Sequence, residues 1–155
     1  MDKEVYLDHA ATTALSPRAL EEMLPLFTAR YGNPSSIHEP GVRAKKALED
    51  SRARIARAIG AASSEIFFTS GGTESDNWVL EGAFRQKGGG HIVASAIEHN
   101  AVLKPLERLQ EQGCRVTLLQ PDALGRISPE ALEEAICPDT ILVSVMTANN
   151  VVGTL

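Results

Sequence analysis

Three groups of polar residues each follow a predicted β-strand, and their types could support binding of an anionic or planar ligand. In an open parallel sheet, ligands bind beyond the carboxyl ends of the strands, because loops converge there and helix N-termini point inward. The sequence therefore predicts a binding site built from Ser70-Gly71-Gly72-Thr73, Glu98-His99-Asn100 and Ala148-Asn149-Asn150.

The first group, Ser70-Gly71-Gly72-Thr73, places two glycines and a hydroxyl at the start of a predicted helix. Free backbone N–H groups and the helix dipole favour a phosphate or a carboxylate at such a position. The group contains neither GxGxxG nor GxxxxGK[ST], so it is not a nucleotide fingerprint. A plain turn with a helix cap remains the alternative, and Glu74 and Asp76 in the first helical turn could serve simple capping.

The other two groups offer an imidazole and adjacent amides. His99 could stack on a planar ligand, relay a proton or coordinate a metal, although a lone loop histidine is often merely solvated. No two of the four histidines have the spacing of metal ligands along one helix. Asn149-Asn150 could form a turn, since Asn tolerates left-handed geometry, or recognise a ligand oxygen.

The elements that must position these groups alternate between strands and helices. Ser16-Pro17 and Ser128-Pro129 predict helix starts, and Gly60 predicts a helix end. Helices are predicted from residue 17, over 41–59, over 73–86, from residue 99 to near residue 113, and from residue 129; strands are predicted over 65–69, 91–95, 115–119 and 140–146. This alternation predicts an α/β fold with a mostly parallel sheet covered by helices.

Composition and charge exclude several classes of protein. The 155 residues are 43% hydrophobic and 23% charged, which indicates a globular unit rather than a disordered tail, a collagen-like fibre or a multidomain array. The net charge of -5 and the dispersed basic residues argue against a nucleic-acid partner. Cys114 and Cys137 lie far apart without a CxxC pattern, so neither a disulfide framework nor a metal site is predicted.

No stretch approaches the roughly 20 apolar residues of a membrane span. Met1-Asp2-Lys3-Glu4 has neither the basic start nor the apolar stretch of a signal peptide. We therefore expect a cytoplasmic protein without a membrane partner.

Five motifs occur in order across the whole chain: Val5-Tyr6-Leu7-Asp8-His9-Ala10-Ala11-Thr12-Thr13, Gly32-Asn33-Pro34-Ser35-Ser36-Ile37-His38, Phe68-Thr69-Ser70-Gly71-Gly72-Thr73-Glu74-Ser75-Asp76-Asn77, Ser95-Ala96-Ile97-Glu98-His99 and Ala148-Asn149-Asn150-Val151-Val152-Gly153-Thr154. Together they resemble the cysteine desulfurases of the NifS/IscS type, within the class V aminotransferase group of pyridoxal-phosphate enzymes. An ordered set of five motifs is far more specific than any one of them.

The resemblance implies a cofactor, pyridoxal 5'-phosphate, and the residues that bind it. Gly72 and Thr73 would hold the phosphate, in agreement with the argument from the helix N-terminus. His99 would stack on the pyridine ring and take part in proton transfer, which makes it the implied catalytic residue. Asn150 would lie beside the phenolic oxygen of the cofactor and the substrate carboxylate.

The resemblance also implies a substrate and a reaction. The segments that contain Ala11, Thr12 and Asn33 would line the entrance where substrate binds, together with Asn150. The family reaction removes sulfur from L-cysteine, leaving alanine and a persulfide on a mobile enzyme cysteine. The sulfur serves iron–sulfur cluster assembly or tRNA thiolation, so a sulfur-acceptor or scaffold protein is the implied partner.

The implied fold is the large domain of a type I pyridoxal-phosphate transferase, similar to aspartate aminotransferase, and it is incomplete. Residues 1–15 would belong to the small lobe and residues 16–155 to the N-terminal part of the large cofactor-binding domain. Family members are usually homodimers with active sites at the interface. A homodimer or a complementing C-terminal part is therefore expected.

In the family, the Schiff-base lysine, the carboxylate at the pyridine nitrogen and the acceptor cysteine all lie beyond the Asn-Asn motif. Cys114 and Cys137 do not resemble the acceptor loop, and no lysine matches the Schiff-base position: Lys3, Lys45, Lys46, Lys87 and Lys104. The sequence is thus expected to be the N-terminal part of an enzyme, inactive by itself. Two smaller departures are His9, where many members have Asn, and Val151-Val152, where many have Glu-Ile.

Two alternatives stay open. The chain could be a non-catalytic binding or scaffold half-protein that pairs with a desulfurase, or another class V enzyme such as a selenocysteine lyase or an aminotransferase. The pairing of Asn33-Pro34-Ser35-Ser36 with Ser70-Gly71-Gly72-Thr73-Glu74-Ser75 favours the desulfurase.

Overall fold

A computed structural model describes residues 5–155. Met1-Asp2-Lys3-Glu4, on which the signal-peptide expectation rests, lies outside the described residues. The chain divides into two compact units, one ending at Phe68 and the other spanning Thr69–Leu155. The predicted boundary at residue 15 concerns the lobes of the family fold and stays a prediction.

The elements follow in chain order: α1 (Pro17–Thr28), α2 (Glu39–Ile59), a 3-10 turn (Ser63–Glu65), α3 (Gly72–Lys87), β1 (His91–Ser95), α4 (Asn100–Glu111), β2 (Arg115–Leu119), α5 (Pro129–Ala135) and β3 (Thr140–Ser144).

The first unit contains two helices whose predicted caps are confirmed. Ala19 donates its N–H to Ser16 Oγ at 3.2 Å, which caps α1. At the end of α2, Gly60 adopts the left-handed conformation with φ 70°, as the sequence predicts. Arg52 of α2 donates to the Ile66 carbonyl and places its guanidinium 4.9 Å from the centre of the Phe68 ring. These contacts hold the segment after the 3-10 turn against α2.

The prediction of a strand over 65–69 is wrong. Ser63–Glu65 form a 3-10 turn, and the residues from 66 to 69 belong to no sheet. Ile66 has extended torsion angles, φ -99° and ψ 121°. A strand needs a hydrogen-bonded neighbour as well as an extended backbone, and no described strand pairs with this segment.

The second unit is built on a parallel three-stranded sheet with the order β2-β1-β3, which confirms the predicted sheet type. β1 lies in the centre, and Ile92, Val93, Ala94 and Ser95 are fully buried. One face carries a core formed with α3 and α4 by these residues: Leu80, Ile92, Ala94, Val102, Leu106, Leu109 and Cys114.

The last strand is shorter than predicted. β3 ends at Ser144, which pairs with Ala94, rather than at residue 146. The N–H of Met146 instead donates to the side chain of Glu98. A hydrogen bond to the Glu98 side chain thus takes the place of a backbone hydrogen bond between the strands, at the point where β1 and β3 lead into their polar loops.

Candidate cofactor site

The start of α3 presents free backbone donors. Gly71 is the N-cap and supplies no side-chain cap, and no described acceptor takes up the N–H groups of Gly72 and Thr73. A Cβ added at Gly71 or Gly72 would meet no atom within 4 Å. The first turn of this 16-residue helix therefore faces open space with its donors and the Thr73 hydroxyl exposed.

The loop before α3 is held by a carboxylate. Glu74 Oε2 accepts from Ser70 Oγ at 2.7 Å and from Ser70 N at 2.6 Å. These bonds, the hydroxyl first, hold the pKa of Glu74 below its usual value. Glu74 therefore holds the residue before the N-cap rather than capping the helix itself, and it leaves the donors of Gly72 and Thr73 free.

Asn77 connects the starts of α3 and α4, and sequence reasoning missed this role. Its Nδ2 donates to the Thr73 carbonyl at 2.7 Å and to the Ala101 carbonyl at 3.3 Å. Its Oδ1 accepts from Arg108 at 2.7 Å. The spacing of four residues from Thr73 places Asn77 one helical turn away, but the contact with Ala101 depends on how the two helices pack.

His99 caps α4 and has a defined orientation. Its Nδ1 accepts from the Ala101 N–H at 3.0 Å, so the neutral ring carries its proton on Nε2. The side chain is exposed. His99 can therefore offer a ring face and an Nε2 proton to a ligand, and its role in stacking and proton transfer stays a prediction.

The two neighbouring asparagines differ in their surroundings. Asn149 is 8% exposed, and its Oδ1 accepts from Val151 N at 2.9 Å and Val152 N at 3.0 Å. Asn150 is exposed, and its amide makes no hydrogen bond within the described part of the chain. The structure thus separates a turn-forming Asn149 from an Asn150 that is open to a ligand.

A cavity of about 240 Å³ lies at the same edge of the sheet. Ser95, Ile97, Arg126 and Asn149 contribute to its lining, whereas Gly72, Thr73, His99 and Asn150 do not. The predicted cofactor residues therefore lie outside this cavity.

Of the four predicted substrate residues, Ala11, Thr12 and Asn33 lie in the first unit and Asn150 lies in the second. The N–H groups of Ala11 and Thr12 donate to the Asp8 carbonyl at 3.2 and 3.4 Å. Asn33 Oδ1 accepts from Ser35 N at 2.9 Å, which closes a turn. Their substrate role stays a prediction.

The cysteines lie away from this edge. Cys137 Sγ is 3.1 Å from His91 Nδ1 and accepts from Arg115 Nη2 at 3.2 Å, beside the amino ends of the strands. Cys114 is buried, and burial raises the pKa of its thiol. Over residues 5–155, no cluster of three or more His, Cys, Asp and Glu side chains is placed to hold a metal ion. None of the helices described there has the length and apolar character needed to cross a bilayer.

Comparison with known proteins identifies the family. The aminotransferase class V model matches residues 5–155. The chain is 48% identical to the cysteine desulfurase IscS of Clostridium botulinum (strain Kyoto / Type A2), over 100% of this chain and 40% of that protein. It is 50% identical to the cysteine desulfurase IscS of Methanosarcina thermophila, over 99% of this chain and 39% of that protein.

Solved structures agree with this result. A NifS-like protein superimposes with a TM-score of 0.92 and 41% identity, over 96% of this chain and 41% of that chain. SspA in complex with cysteine superimposes with a TM-score of 0.89 and 40% identity, over 94% of this chain and 42% of that chain. The chain spans about 40% of the length of the curated relatives that it matches. Enzymes of this family depend on pyridoxal phosphate. The chain belongs to the aminotransferase class V family and is a homologue of the IscS/NifS cysteine desulfurases.

Proposed function

We propose that the chain forms part of the pyridoxal-phosphate site of a cysteine desulfurase. The observation that carries the proposal is the open first turn of α3, joined through Asn77 to the start of α4. Exposed N–H groups at a helix N-terminus suit a phosphate, and no side chain fills the space in front of Gly71 and Gly72.

The residues at the starts of α3 and α4 and in the loop after β3 suit the cofactor. Gly72 and Thr73 would hold the phosphate, and His99 would lie against the ring with its proton on Nε2. Asn150 would donate its free amide to the phenolic oxygen or to the substrate carboxylate. When bound, pyridoxal phosphate supplies the electron sink for breaking bonds at the substrate α-carbon.

The proposed substrate is L-cysteine, converted to alanine and a persulfide sulfur for iron–sulfur cluster assembly or tRNA thiolation. The names of the IscS relatives and the cysteine complex of SspA support this substrate. Ala11, Thr12 and Asn33 would line its entrance. A sulfur-acceptor protein, a homodimer or a complementing chain, and a cytoplasmic location belong to the same proposal.

We further propose that this chain alone does not catalyse the reaction. The lysines that the structure describes lie exposed on helices, and two of them pair with acids: Lys46 with Asp50 at 2.6 Å and Lys104 with Glu107 at 2.8 Å. None matches the Schiff-base position of the family. After mixing with pyridoxal phosphate and borohydride reduction, absorbance and mass spectrometry should detect no adduct confined to one site. A stable adduct on one specific lysine would overturn this part of the proposal.

The cofactor site is tested by NMR of the ¹⁵N-labelled chain. Pyridoxal phosphate should shift the amide resonances of Gly72 and Thr73, and pyridoxal, which has the same aldehyde but no phosphate, should not. Thr73→Val should weaken the affinity about fivefold, as expected for one lost hydrogen bond. Thr28→Val, in the exposed last turn of α1, is the matched control. Equal shifts with both ligands, or no shifts, would contradict the assignment.

A further inference from the structure

A buried glutamate joins the loops that follow β1 and β3. Glu98 is 9% exposed, and its Oε1 accepts from Ser95 Oγ at 2.9 Å and from Met146 N at 2.6 Å. Burying a carboxyl group is costly unless hydrogen bonds compensate. Here one bond is local, and the other reaches 48 residues along the chain to the neighbouring loop.

A second bond runs between the same loops in the opposite direction. Asn149 Nδ2 donates to the Ile97 carbonyl at 3.0 Å, while Asn149 Oδ1 closes the turn that contains Asn150. Each loop therefore supplies one side chain that binds the backbone of the other. We call the pair of bonds, Glu98 to Met146 and Asn149 to Ile97, the loop clasp.

The loop clasp begins where the sheet ends. The last pair of the β1–β3 ladder is Ala94 with Ser144, and the pairing between these two strands stops there. Each clasp side chain precedes a proposed cofactor residue by one position: Glu98 precedes His99, and Asn149 precedes Asn150. The clasp thus fixes the relative position of the two loops immediately before the residues that would contact the ligand.

We propose that Glu98 and Asn149 are positioning residues that hold His99 and Asn150 at the separation required by the cofactor. This inference rests on the proposed function, since it assigns a purpose to the geometry of that site. Neither side chain needs to touch the ligand. Side chains that are already held in position bind a rigid ligand more tightly than mobile side chains do, because they lose less conformational freedom on binding.

The first test measures the clasp without any ligand. Hydrogen exchange of the Met146 amide in the full chain should accelerate about tenfold in Glu98→Ala, while Ile92 and Val93 in the sheet keep their protection. Glu98→Gln should retain slow exchange, because its amide oxygen can accept the same two bonds. If Glu98→Ala does not fold, Glu98→Asp, one methylene shorter, should also release Met146. Unchanged exchange at Met146 in a folded Ala or Asp variant would overturn the inference.

The second test measures affinity for pyridoxal phosphate by NMR titration. Glu98→Ala or Glu98→Asp should weaken binding about tenfold, and Glu98→Gln should restore it to near the parent value. The matched control is Glu107→Ala, which removes an exposed glutamate paired with Lys104. Parent-like affinity in a variant that has released Met146 would overturn the positioning role alone. If the parent chain bound no pyridoxal phosphate, the proposed function and the cofactor role of the clasp would both be overturned.

Discussion

Arg115 Nη2 donates to both carboxylate oxygens of Asp139, at 2.6 and 2.7 Å, beside the amino ends of the strands. Cys137 Sγ also donates to Asp139 Oδ1, at 3.1 Å. The bonds from Cys137 and then Arg115 hold the pKa of Asp139 below its ordinary value of 3.8. This charged group lies at the edge opposite the proposed cofactor site, where its contribution concerns stability.

The first prediction concerns acid stability. Because the pKa of Asp139 is lower in the folded chain than in the unfolded chain, its stabilisation is present above about pH 3.8 and is lost as the pH falls through the folded pKa. Asp139→Asn should therefore show a smaller loss of Tm between pH 5 and 3 than the parent, by about a few degrees at most because the pair is exposed.

The measurement is thermal unfolding followed by circular dichroism over that pH range. Asp50→Asn is the control, since Asp50 forms an exposed pair with Lys46 on α2. An acid profile of Asp139→Asn that superimposes on the parent profile would contradict the prediction.

The second prediction concerns the two thiols. Cys114 is 5% exposed, and burial raises the pKa of its thiol, whereas Cys137 is only half-buried. A thiol reagent such as Ellman's reagent should therefore label one cysteine rapidly in the native chain and both after denaturation. Cys137→Ser should abolish the rapid phase, and Cys114→Ser should retain it. Rapid labelling of Cys114 in the folded chain would show that its burial is not maintained.

The third prediction uses a glycine within a helix. Gly82 lies inside α3, and a Cβ added there would meet no atom within 4 Å. Gly82→Ala should raise the free energy of unfolding by about 0.5–1 kcal/mol, because alanine favours the helix and restricts the unfolded chain. Urea denaturation provides the measurement.

Gly90, in the same unit, is a glycine at which alanine should destabilise the fold. Its φ is +135°, and a Cβ there would lie 2.7 Å from Ile141 Cγ2. Gly90→Ala should lower the free energy of unfolding by at least about 1 kcal/mol, since both the torsion angle and the contact are unfavourable. If the two alanine variants changed stability in the same direction, this account of the glycines would be wrong.

The fourth prediction concerns the core of the second unit. Leu106 is 2% exposed and belongs to the cluster between the sheet and the helices. Leu106→Ala should cost about 2–5 kcal/mol through lost burial and the cavity left behind. Val79→Ala, at a position that is 58% exposed on α3, should change the free energy of unfolding by less than about 0.5 kcal/mol. If both variants lost a similar amount of unfolding free energy, the assignment of Leu106 to the core would be wrong.

Much of the local structure can be predicted from the sequence. Ser16-Pro17 marks the start of α1, Gly60 marks the end of α2, and the apolar run over His91–Ser95 marks the central strand. These features depend on caps, turns and periodicity within a few residues. The five ordered motifs also led to the family that the comparisons show.

The two strand predictions that were wrong depend on hydrogen-bond partners that are distant in the chain. The run over 65–69 has strand-forming residues, but no described strand pairs with it. The strand that starts at Thr140 ends two residues early because Glu98 takes the Met146 N–H. Propensity alone decides neither outcome, since pairing is a property of the assembled sheet.

The sequence by itself determined the family, the caps and the residue types available for a cofactor site. Only the tertiary structure decided which of these residues are free and which are used. It assigned Glu74 to the loop before α3, Asn149 to a turn and Asn77 to a bridge between helices, and left Gly72, Thr73 and Asn150 with unused donors. Glu74 and Asn149 bind partners within four positions along the chain, at Ser70 and Val151. Asn77 also reaches Ala101, 24 positions away, and Asn149 reaches Ile97, 52 positions away, because helix packing and strand register bring distant polar groups together.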